Sequence, residues 1–299
     1  MFYTYNYFRQ YNNMEPIEDY KAFYRKFSND REFGADYSNY DHLVKTRLIG
    51  DHGAIFNAIL RKHPESILDI GCGNGINLPF SRLFPNIDYH GLDYAERSAE
   101  MARVEFPAAT IHVGDAFDLP FEDDRFDMII MANFIILYRS ADDRRALLQE
   151  AFRVLRPGGV LLLLVWNDAP CLRWSIRLSR LVARCCGTAL PQDFMGIHFS
   201  RRDILETTEP LGFREEERIL LGNDYGVMES IRYLSMERYR RVFGKSESDA
   251  FAEIPQNVYH DLKKHAKGAS WLTALLFGLS RLNDRLFSMY ALHIFKKGV

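Results

Sequence analysis

The chain has 299 residues, of which 47% are hydrophobic and 26% are charged, and its formal net charge is -2. These values predict a packed globular core, exclude wholesale disorder and give no sign of a nucleic-acid-binding protein. The four cysteines have neither the spacing of a zinc site nor that of a secreted disulfide framework, which favours free thiols. The first residues form no apolar run, so we expect no signal peptide, and no stretch has the length needed to span a bilayer. These features favour a cytoplasmic protein.

The first 52 residues are rich in aromatic and polar side chains and hold eight of the 16 tyrosines. One interpretation is a lid whose rings face a cationic ligand, and the other is an arm packed on the surface with its tyrosine hydroxyls in water. Residues 53–63 follow with apolar side chains at helical spacing. Pro64 ends this predicted helix before the first strand.

A short apolar strand, Ile67–Ile70, runs directly into three glycines, Gly71, Gly73 and Gly75. Glycines let the backbone turn sharply and approach a ligand closely, because no Cβ is in the way. We expect a helix to start immediately after the turn and to direct its first N–H groups back at it. This arrangement is typical of nucleotide binding at the carboxyl end of a strand in an α/β sheet.

The identity of the nucleotide is indicated by Asp69, which precedes the glycines. A carboxylate here would repel a pyrophosphate but suits a ligand with an ammonium and a sulfonium, and Ile76 replaces the third glycine of the dinucleotide fingerprint. The string Leu68–Gly75 closely resembles the first motif of class I S-adenosylmethionine-dependent methyltransferases. The resemblance implies S-adenosyl-L-methionine as cofactor, bound by Asp69, Gly71, Cys72, Gly73 and Asn74.

A second predicted strand, Ile87–Asp93, ends in an acid 22 residues after Gly71. An acid at about this distance is placed to hold a ribose diol, and it corresponds to the second motif of the resembled family. Tyr94 follows and is expected to stack on the adenine. The alternative for Asp93 is the N-cap of a helix that begins immediately afterwards.

The third predicted strand and its loop occupy residues 109–121. Asp115 and Ala116 match the family's adenine-binding position, where a carboxylate accepts from the exocyclic amine and a backbone N–H donates to the ring. The alternative for Asp115 is a turn-forming aspartate.

The fourth strand, Phe126–Phe134, has the continuous apolar run of a strand buried on both faces. Asn133 lies at its carboxyl end, where the methionine part of the cofactor and the acceptor are expected to meet. Relatives that methylate the nitrogens of bases carry an Asn-Pro-Pro-Tyr type motif here. Because the chain instead continues with Phe134, Ile135 and Ile136, it resembles the small-molecule branch, which implies a small-molecule acceptor and no nucleic acid.

An amphipathic helix over Asp142–Leu155 is followed by Arg156–Gly159, predicted as a tight helix-to-strand turn, and by a fifth strand over Val160–Trp166. Later segments predict a helix over 201–211, a strand through Ile219–Leu221 and a last strand over Ser288–Lys297. The alternation predicts an α/β fold with a doubly wound, seven-stranded, mostly parallel sheet.

The predicted organisation has five parts. They are an aromatic N-terminal lid (1–52), the cofactor-binding core (53–166), a basic helical insertion (167–196), the end of the core sheet (197–222 and 286–299) and a helical cap (223–285).

The basic insertion carries Arg173, Arg177, Arg180 and Arg184, a spacing that puts four guanidinium groups on one helix face. This face could meet an anionic membrane or a phosphate-bearing acceptor, or it could be an ordinary surface with its arginines paired to acids. The apolar run over 271–282 is interpreted as a core helix of the cap, a homodimer contact or a peripheral membrane contact.

The leading hypothesis is methyl transfer from S-adenosyl-L-methionine to a hydroxyl or amine of a small molecule by in-line displacement. A general base is needed only for a hydroxyl or a protonated amine; the candidates are His198, Tyr37, Tyr40 and Asp168, and no metal site is evident. The alternatives are a lipid-linked or membrane-surface acceptor and a non-catalytic cofactor-binding scaffold. A nicotinamide dehydrogenase is disfavoured by Asp69 and by Ile76.

Overall fold

The computed structural model describes residues 51–171, 173, 174, 177, 197–221, 283–288 and 290–298. The described residues belong to two compact units. The larger contains those of 51–166, 197–219 and 290–298, and the smaller contains the rest. The predicted lid lies outside the described residues except for its last two positions, as do Arg180, Arg184, the 271–282 run and nearly all of the predicted cap. The five-part organisation therefore stays a prediction.

The larger unit alternates strands with helices through most of its length. Its helices are α1 (Asp51–Lys62), α2 (Pro79–Leu83), α3 (Glu96–Glu105), α4 (Ala141–Val154) and α5 (Arg201–Thr208), with 3-10 turns at Ile135–Leu137 and Glu209–Leu211. Its strands are β1 (Ser66–Ile70), β2 (Asp88–Asp93), β3 (Thr110–Val113), β4 (Phe126–Ala132), β5 (Leu155–Trp166), β6 (Phe213–Leu221, whose last two residues belong to the smaller unit) and β7 (Tyr290–Lys297). A short helix, α6 (Asp284–Phe287), belongs to the smaller unit.

The seven strands form one sheet in the order β3-β2-β1-β4-β5-β7-β6. The pairs β1–β2, β2–β3, β1–β4 and β4–β5 are parallel, and β5–β7 is antiparallel. This confirms the predicted doubly wound, mostly parallel sheet. The strand order reverses between β1 and β4, and ligands of open α/β sheets bind outside the carboxyl ends of the strands at such a switch point.

The core of this unit lies around its central strands. All five residues of β1 are buried, as are Met128–Met131 of β4 and Val160–Val165 of β5. The continuous apolar runs follow from burial on both faces, because helices cover a parallel sheet on each side. This rigid scaffold fixes the loops at the carboxyl ends of β1, β2 and β4. In the parts of the chain that the structure describes, no helix is long and apolar enough to cross a membrane.

The helix predicted directly after the glycines was wrong in its start. Residues 71–78 form turns and bends, and α2 begins only at Pro79 and has five residues. Gly75 has a φ of 107°, which is incompatible with a helix, and the N–H of Leu78 donates to the Gly75 carbonyl in a tight turn at 3.2 Å. Proline suits a first helical position, which fixes the late start. The loop itself, and not a helix terminus, therefore presents N–H groups to a ligand.

The segment Arg156–Gly159 is also not a turn between helix and strand. β5 begins at Leu155 and runs through these residues. Leu155 pairs with Phe126 and Val160 pairs with Met128, so five steps along β5 face two along β4. The extra residues bulge at Gly158, where φ is 78°. A bulge with a left-handed glycine lets the strand continue, while its register against β4 shifts between Phe126 and Met128.

Candidate functional site

The loop after β1 is held in shape by its glycines and by the end of β2. Gly71, Gly73 and Gly75 all have positive φ, at 71°, 56° and 107°, a region that residues with a Cβ rarely adopt. The N–H groups of Gly71 and Cys72 both donate to the Leu92 carbonyl, at 2.8 and 3.1 Å. These bonds fix the loop against the neighbouring strand at the switch point.

Asp93, the last residue of β2, binds this loop through its side chain. Its Oδ2 accepts the N–H of Gly73 at 2.7 Å, and its Oδ1 accepts the N–H of Ala95 at 2.9 Å. The N-cap residue of α3 is Ala95, with no side-chain cap, so Asp93 does not fill the alternative N-cap position. Burial raises the pKa of Asp93, and the two N–H bonds oppose that rise. A carboxylate has about four acceptor sites, which leaves room for further donors.

Asp69 lies under the loop and not on its surface. Its side chain is held by Asn77, whose Nδ2 donates to Oδ2 at 3.2 Å, and the two residues are 1% and 3% exposed. The hydroxyl of Tyr89 donates to the backbone carbonyl of Asn77 at 3.4 Å. Burial raises the pKa of Asp69 to about 7. The hydrogen bond from Asn77 lowers this pKa, and the negative charge of Asp93 raises it further. Among the described residues no cation forms an ion pair with Asp69.

Cys72 contributes packing to this site. Its side chain is buried, and its Sγ lies 2.9 Å from where a Cβ on Gly91 would be, so a glycine in β2 makes space for it. Burial raises the pKa of the Cys72 thiol, and the charges of Asp93 and Asp69 raise it further. The thiol is therefore neutral, and its backbone N–H is the group that serves the loop.

The loop after β3 brings Asp115 and an aromatic cluster to the same edge. Oδ1 of Asp115 accepts the N–H of Phe117 at 3.0 Å, so this residue forms the turn that was the alternative to adenine contact; Ala116 beside it is buried. The ring of Tyr138 packs edge-on against Phe117 and Phe134, each at 5.5 Å between centroids. Burial raises the pKa of Tyr138, and the charges of Asp115, Asp93 and Asp143 add to it.

The end of β4 meets the glycine loop directly. Asn133 has a φ of 55°, and its N–H donates to the Leu164 carbonyl at 2.9 Å. Its Oδ1 is buried and accepts no hydrogen bond from any residue that the structure describes. The ring of Phe134 lies against Gly71, with Cδ2 2.3 Å from where a Cβ would be. Gly71 therefore has to be glycine for this contact as well as for its φ.

The remaining predicted residues are dispersed. Asn74 lies within the loop, and Tyr94 follows Asp93. The ring of His198 lies 5.4 Å from the ring of Trp166, at the carboxyl end of β5. Asp168, in the smaller unit, pairs with Arg173 at 3.1 Å, while Tyr37 and Tyr40 lie outside the described residues.

Sequence reasoning missed four positions that contact the candidate site: Asn77, Phe117, Phe134 as a partner of Gly71, and Tyr138. Asn77 had a signal, because a polar side chain between Ile76 and Leu78 has to find a partner once it is buried. The aromatic contacts had none, because they depend on how two loops approach each other.

The comparison with protein families agrees with the geometry. Residues 67–159 match the family model described as a methyltransferase domain. That range contains β1 from its second residue, β2 to β4, the glycine loop, Asp93 at the end of β2 and Asp115 in the loop after β3. The chain therefore contains a methyltransferase domain over residues 67–159, and S-adenosyl-L-methionine is the cofactor of this class of domain.

Three curated relatives are similar to part of the chain. A demethylmenaquinone methyltransferase of Thermotoga maritima is 35% identical over 37% of this chain and 47% of its own length. A fatty-acid O-methyltransferase of Mycolicibacterium smegmatis is 31% identical over 46% of this chain and 49% of its own length. A probable tRNA methyltransferase 9B of Mus musculus is 34% identical over 36% of this chain and 23% of its own length. The chain thus spans about half or less of the length of these relatives.

A solved structure, an S-adenosylmethionine-dependent methyltransferase of Methanosarcina mazei, has the same fold. The two structures align over 82% of this chain and 97% of the other chain, with 18% sequence identity and a TM-score of 0.50.

The residues of the site fit this cofactor. A Cβ on Gly73 would meet no atom within 4 Å, so space is open above the turn. Asp93 has acceptor sites left for the two hydroxyls of a ribose. The acids of the site suit a ligand that carries an ammonium and a sulfonium. Asp69 is one of these acids, and it is buried with no ion-pairing cation among the described residues.

Proposed function

We propose that this protein transfers a methyl group from S-adenosyl-L-methionine to a hydroxyl or amine of a small-molecule acceptor. The observation that carries this proposal is the bond from the Gly73 N–H to Asp93 Oδ2 at 2.7 Å. It joins the glycine loop of β1 to the acid of β2 at the switch point of the sheet, within the range that matches the methyltransferase domain.

In this proposal the side chains bind and align, and they do little covalent chemistry. Asp93 holds the ribose hydroxyls, Asp115 and the N–H of Ala116 hold the adenine, and the loop from Gly71 to Asn74 lies along the methionine part. The bound cofactor supplies an activated methyl on its sulfonium. Holding the acceptor in line with that methyl can contribute about 7–11 kcal/mol to lowering the barrier, so no elaborate catalytic constellation is required.

The end of β4 is where the acceptor would meet the methyl. Asn133 offers a buried carbonyl oxygen there, and Phe134 and Tyr138 form an apolar wall beside it. His198, at the carboxyl end of β5, is the proposed base for a hydroxyl or a protonated amine. Within the described residues no cluster of metal-binding side chains is present to replace it.

The proposal is tested by incubating the purified chain with methyl-labelled S-adenosyl-L-methionine and a panel of small amines, phenols and carboxylic acids. We expect acceptor-dependent formation of S-adenosylhomocysteine and label in one acceptor class, and neither product with Asp93→Ala. Cofactor binding without transfer to any class would favour the non-catalytic scaffold instead.

A second candidate is an acceptor that is lipid-linked or presented at a membrane surface, and an observation in the smaller unit favours it. Trp174 is 72% exposed beside the exposed Arg177, in a stretch whose described residues are helical. An exposed indole next to guanidinium groups is typical of peripheral contact with anionic lipids. Two relatives are named for a fatty acid and for demethylmenaquinone, both of which suit such a surface.

Vesicle sedimentation tests this second candidate. We expect the protein to sediment with vesicles containing phosphatidylserine but not with neutral ones, and the double variant Trp174→Ser, Arg177→Gln to lose sedimentation. Arg145→Gln, an exposed arginine on α4, is the matched control. No sedimentation of the unmodified protein with anionic vesicles would remove this candidate.

A further inference from the structure

The Asp69–Asn77 pair bridges the two ends of the glycine loop. Asp69 precedes the loop on β1, Asn77 closes it, and the amide Nδ2 lies 3.2 and 3.5 Å from the two carboxylate oxygens. Both side chains are buried, and the backbone carbonyl of Asn77 is itself held by the Tyr89 hydroxyl. The neutral amide of Asn77 thus contacts both oxygens of the Asp69 carboxylate.

This environment is an unfavourable one for a negative charge. Among the described residues, the titratable groups whose charges interact with Asp69 are Asp93 at the end of β2 and Cys72 in the loop, and neither is a cation. Ionised carboxylates in protein interiors are normally paired with a cation or bound by several donors. A cationic ligand on the loop would supply the missing positive charge.

We propose that Asp69 and Asn77 form a proton-linked clip beneath the loop, so that binding of the cofactor's positive charge above it releases a proton from Asp69. In this scheme Asn77 is a positioning residue, since its amide favours the ionised, correctly oriented carboxylate before the ligand arrives. The inference rests on the proposed function, because it needs the cofactor to bind at this loop.

The linkage gives a defined pH dependence. Since the pKa of Asp69 in the free protein is about 7, its carboxylate is mostly ionised at pH 8 and mostly protonated at pH 6. If only the ionised form binds well, affinity falls about tenfold between these two values. The sign is fixed by the charge: a ligand cation lowers the pKa of Asp69, so binding becomes tighter as the pH rises.

The test is titration calorimetry of the full chain with S-adenosylhomocysteine, which keeps the ammonium, and with S-adenosyl-L-methionine, which adds the sulfonium. We expect the unmodified protein to lose about tenfold in affinity from pH 8 to pH 6 and to release a proton near pH 7, detected in buffers of different ionisation enthalpy. Asp69→Asn should remove this dependence, and Asn77→Leu should shift it to higher pH. Asp88→Asn, an exposed acid at the other end of β2, is the matched control.

A second readout needs no ligand. Because the native pKa of Asp69 lies above its unfolded value, its contribution to stability is lost as the pH rises through 7. Asp69→Asn should therefore raise the melting temperature more at pH 8 than at pH 5. In the calorimetric titrations, by contrast, the ligand's own amino group also titrates. Its effect on affinity is the same for every variant and cancels when the variants are compared.

The outcomes separate the two proposals. No binding to the folded, unmodified protein at any pH would overturn the proposed function, and the clip with it. Binding whose pH dependence is flat, or is the same in Asp69→Asn as in the unmodified protein, would overturn the clip and leave the function standing.

Discussion

Replacing Asp93 by alanine is the substitution whose effect the structure defines best. The carboxylate now accepts the N–H groups of Gly73 and Ala95 and has sites left for the two ribose hydroxyls. A hydrogen bond to a charged group contributes about 1.5–3 kcal/mol, so losing two ribose bonds costs at least about 3 kcal/mol of binding free energy. This corresponds to a dissociation constant at least about 100-fold higher.

Calorimetry with S-adenosylhomocysteine measures this loss directly. Leaving the N–H groups of Gly73 and Ala95 without this acceptor costs about 1–3 kcal/mol of stability each, so the melting temperature of the variant is measured alongside to show that it is folded. Asp93→Asn keeps one acceptor oxygen and should bind with intermediate affinity, and Asp118→Ala, an exposed acid after β3, should bind normally. The reasoning is refuted if Asp93→Ala binds within about threefold of the unmodified protein, a difference well below one hydrogen bond.

Two further substitutions test the loop and the far side of the sheet. Gly73→Val should abolish cofactor binding. Gly158→Val, also at positive φ but in the β5 bulge, where an added Cβ would make only an ordinary contact with Lys296, should cost similar stability and leave binding intact; equal binding losses in both would contradict this. His293 on β7 is fully buried, and its Nδ1 lies 2.6 Å from a carboxylate oxygen of Glu215. Burial lowers the pKa of His293 to about 4, which is below its value in the unfolded chain. The stability that neutral His293 contributes is therefore lost as the pH falls from about 6.5 to about 4. His293→Leu should flatten that part of a urea-unfolding profile by about 3 kcal/mol, and an unchanged profile would show that another group titrates there.

The strands and the acids at their ends were predictable because each is a local pattern. The apolar runs of β1, β4 and β5 are set by burial on both faces, and the distance from Gly71 to Asp93 follows from one helix and one strand between them. The contact of Asp93 with the loop then follows from the parallel pairing of β1 and β2.

What the sequence did not predict depends on backbone detail and on distant contacts. The helix after the glycines starts late because Gly75 is left-handed and Asn77 is engaged with Asp69, neither of which changes the apolar periodicity. The strand continues through Gly158 because β4 pairs on both sides of the bulge. The ring of Phe134 reaches Gly71 across two strand ends, and no spacing along the chain encodes that approach.

The central claim is that the loop between β1 and α2 binds S-adenosyl-L-methionine. The most direct measurement is titration of the folded chain with S-adenosylhomocysteine at pH 8, followed by competition with S-adenosyl-L-methionine. The account predicts saturable binding at one site, displaced by the cofactor and lost in Asp93→Ala. A folded protein that takes up neither molecule would contradict it.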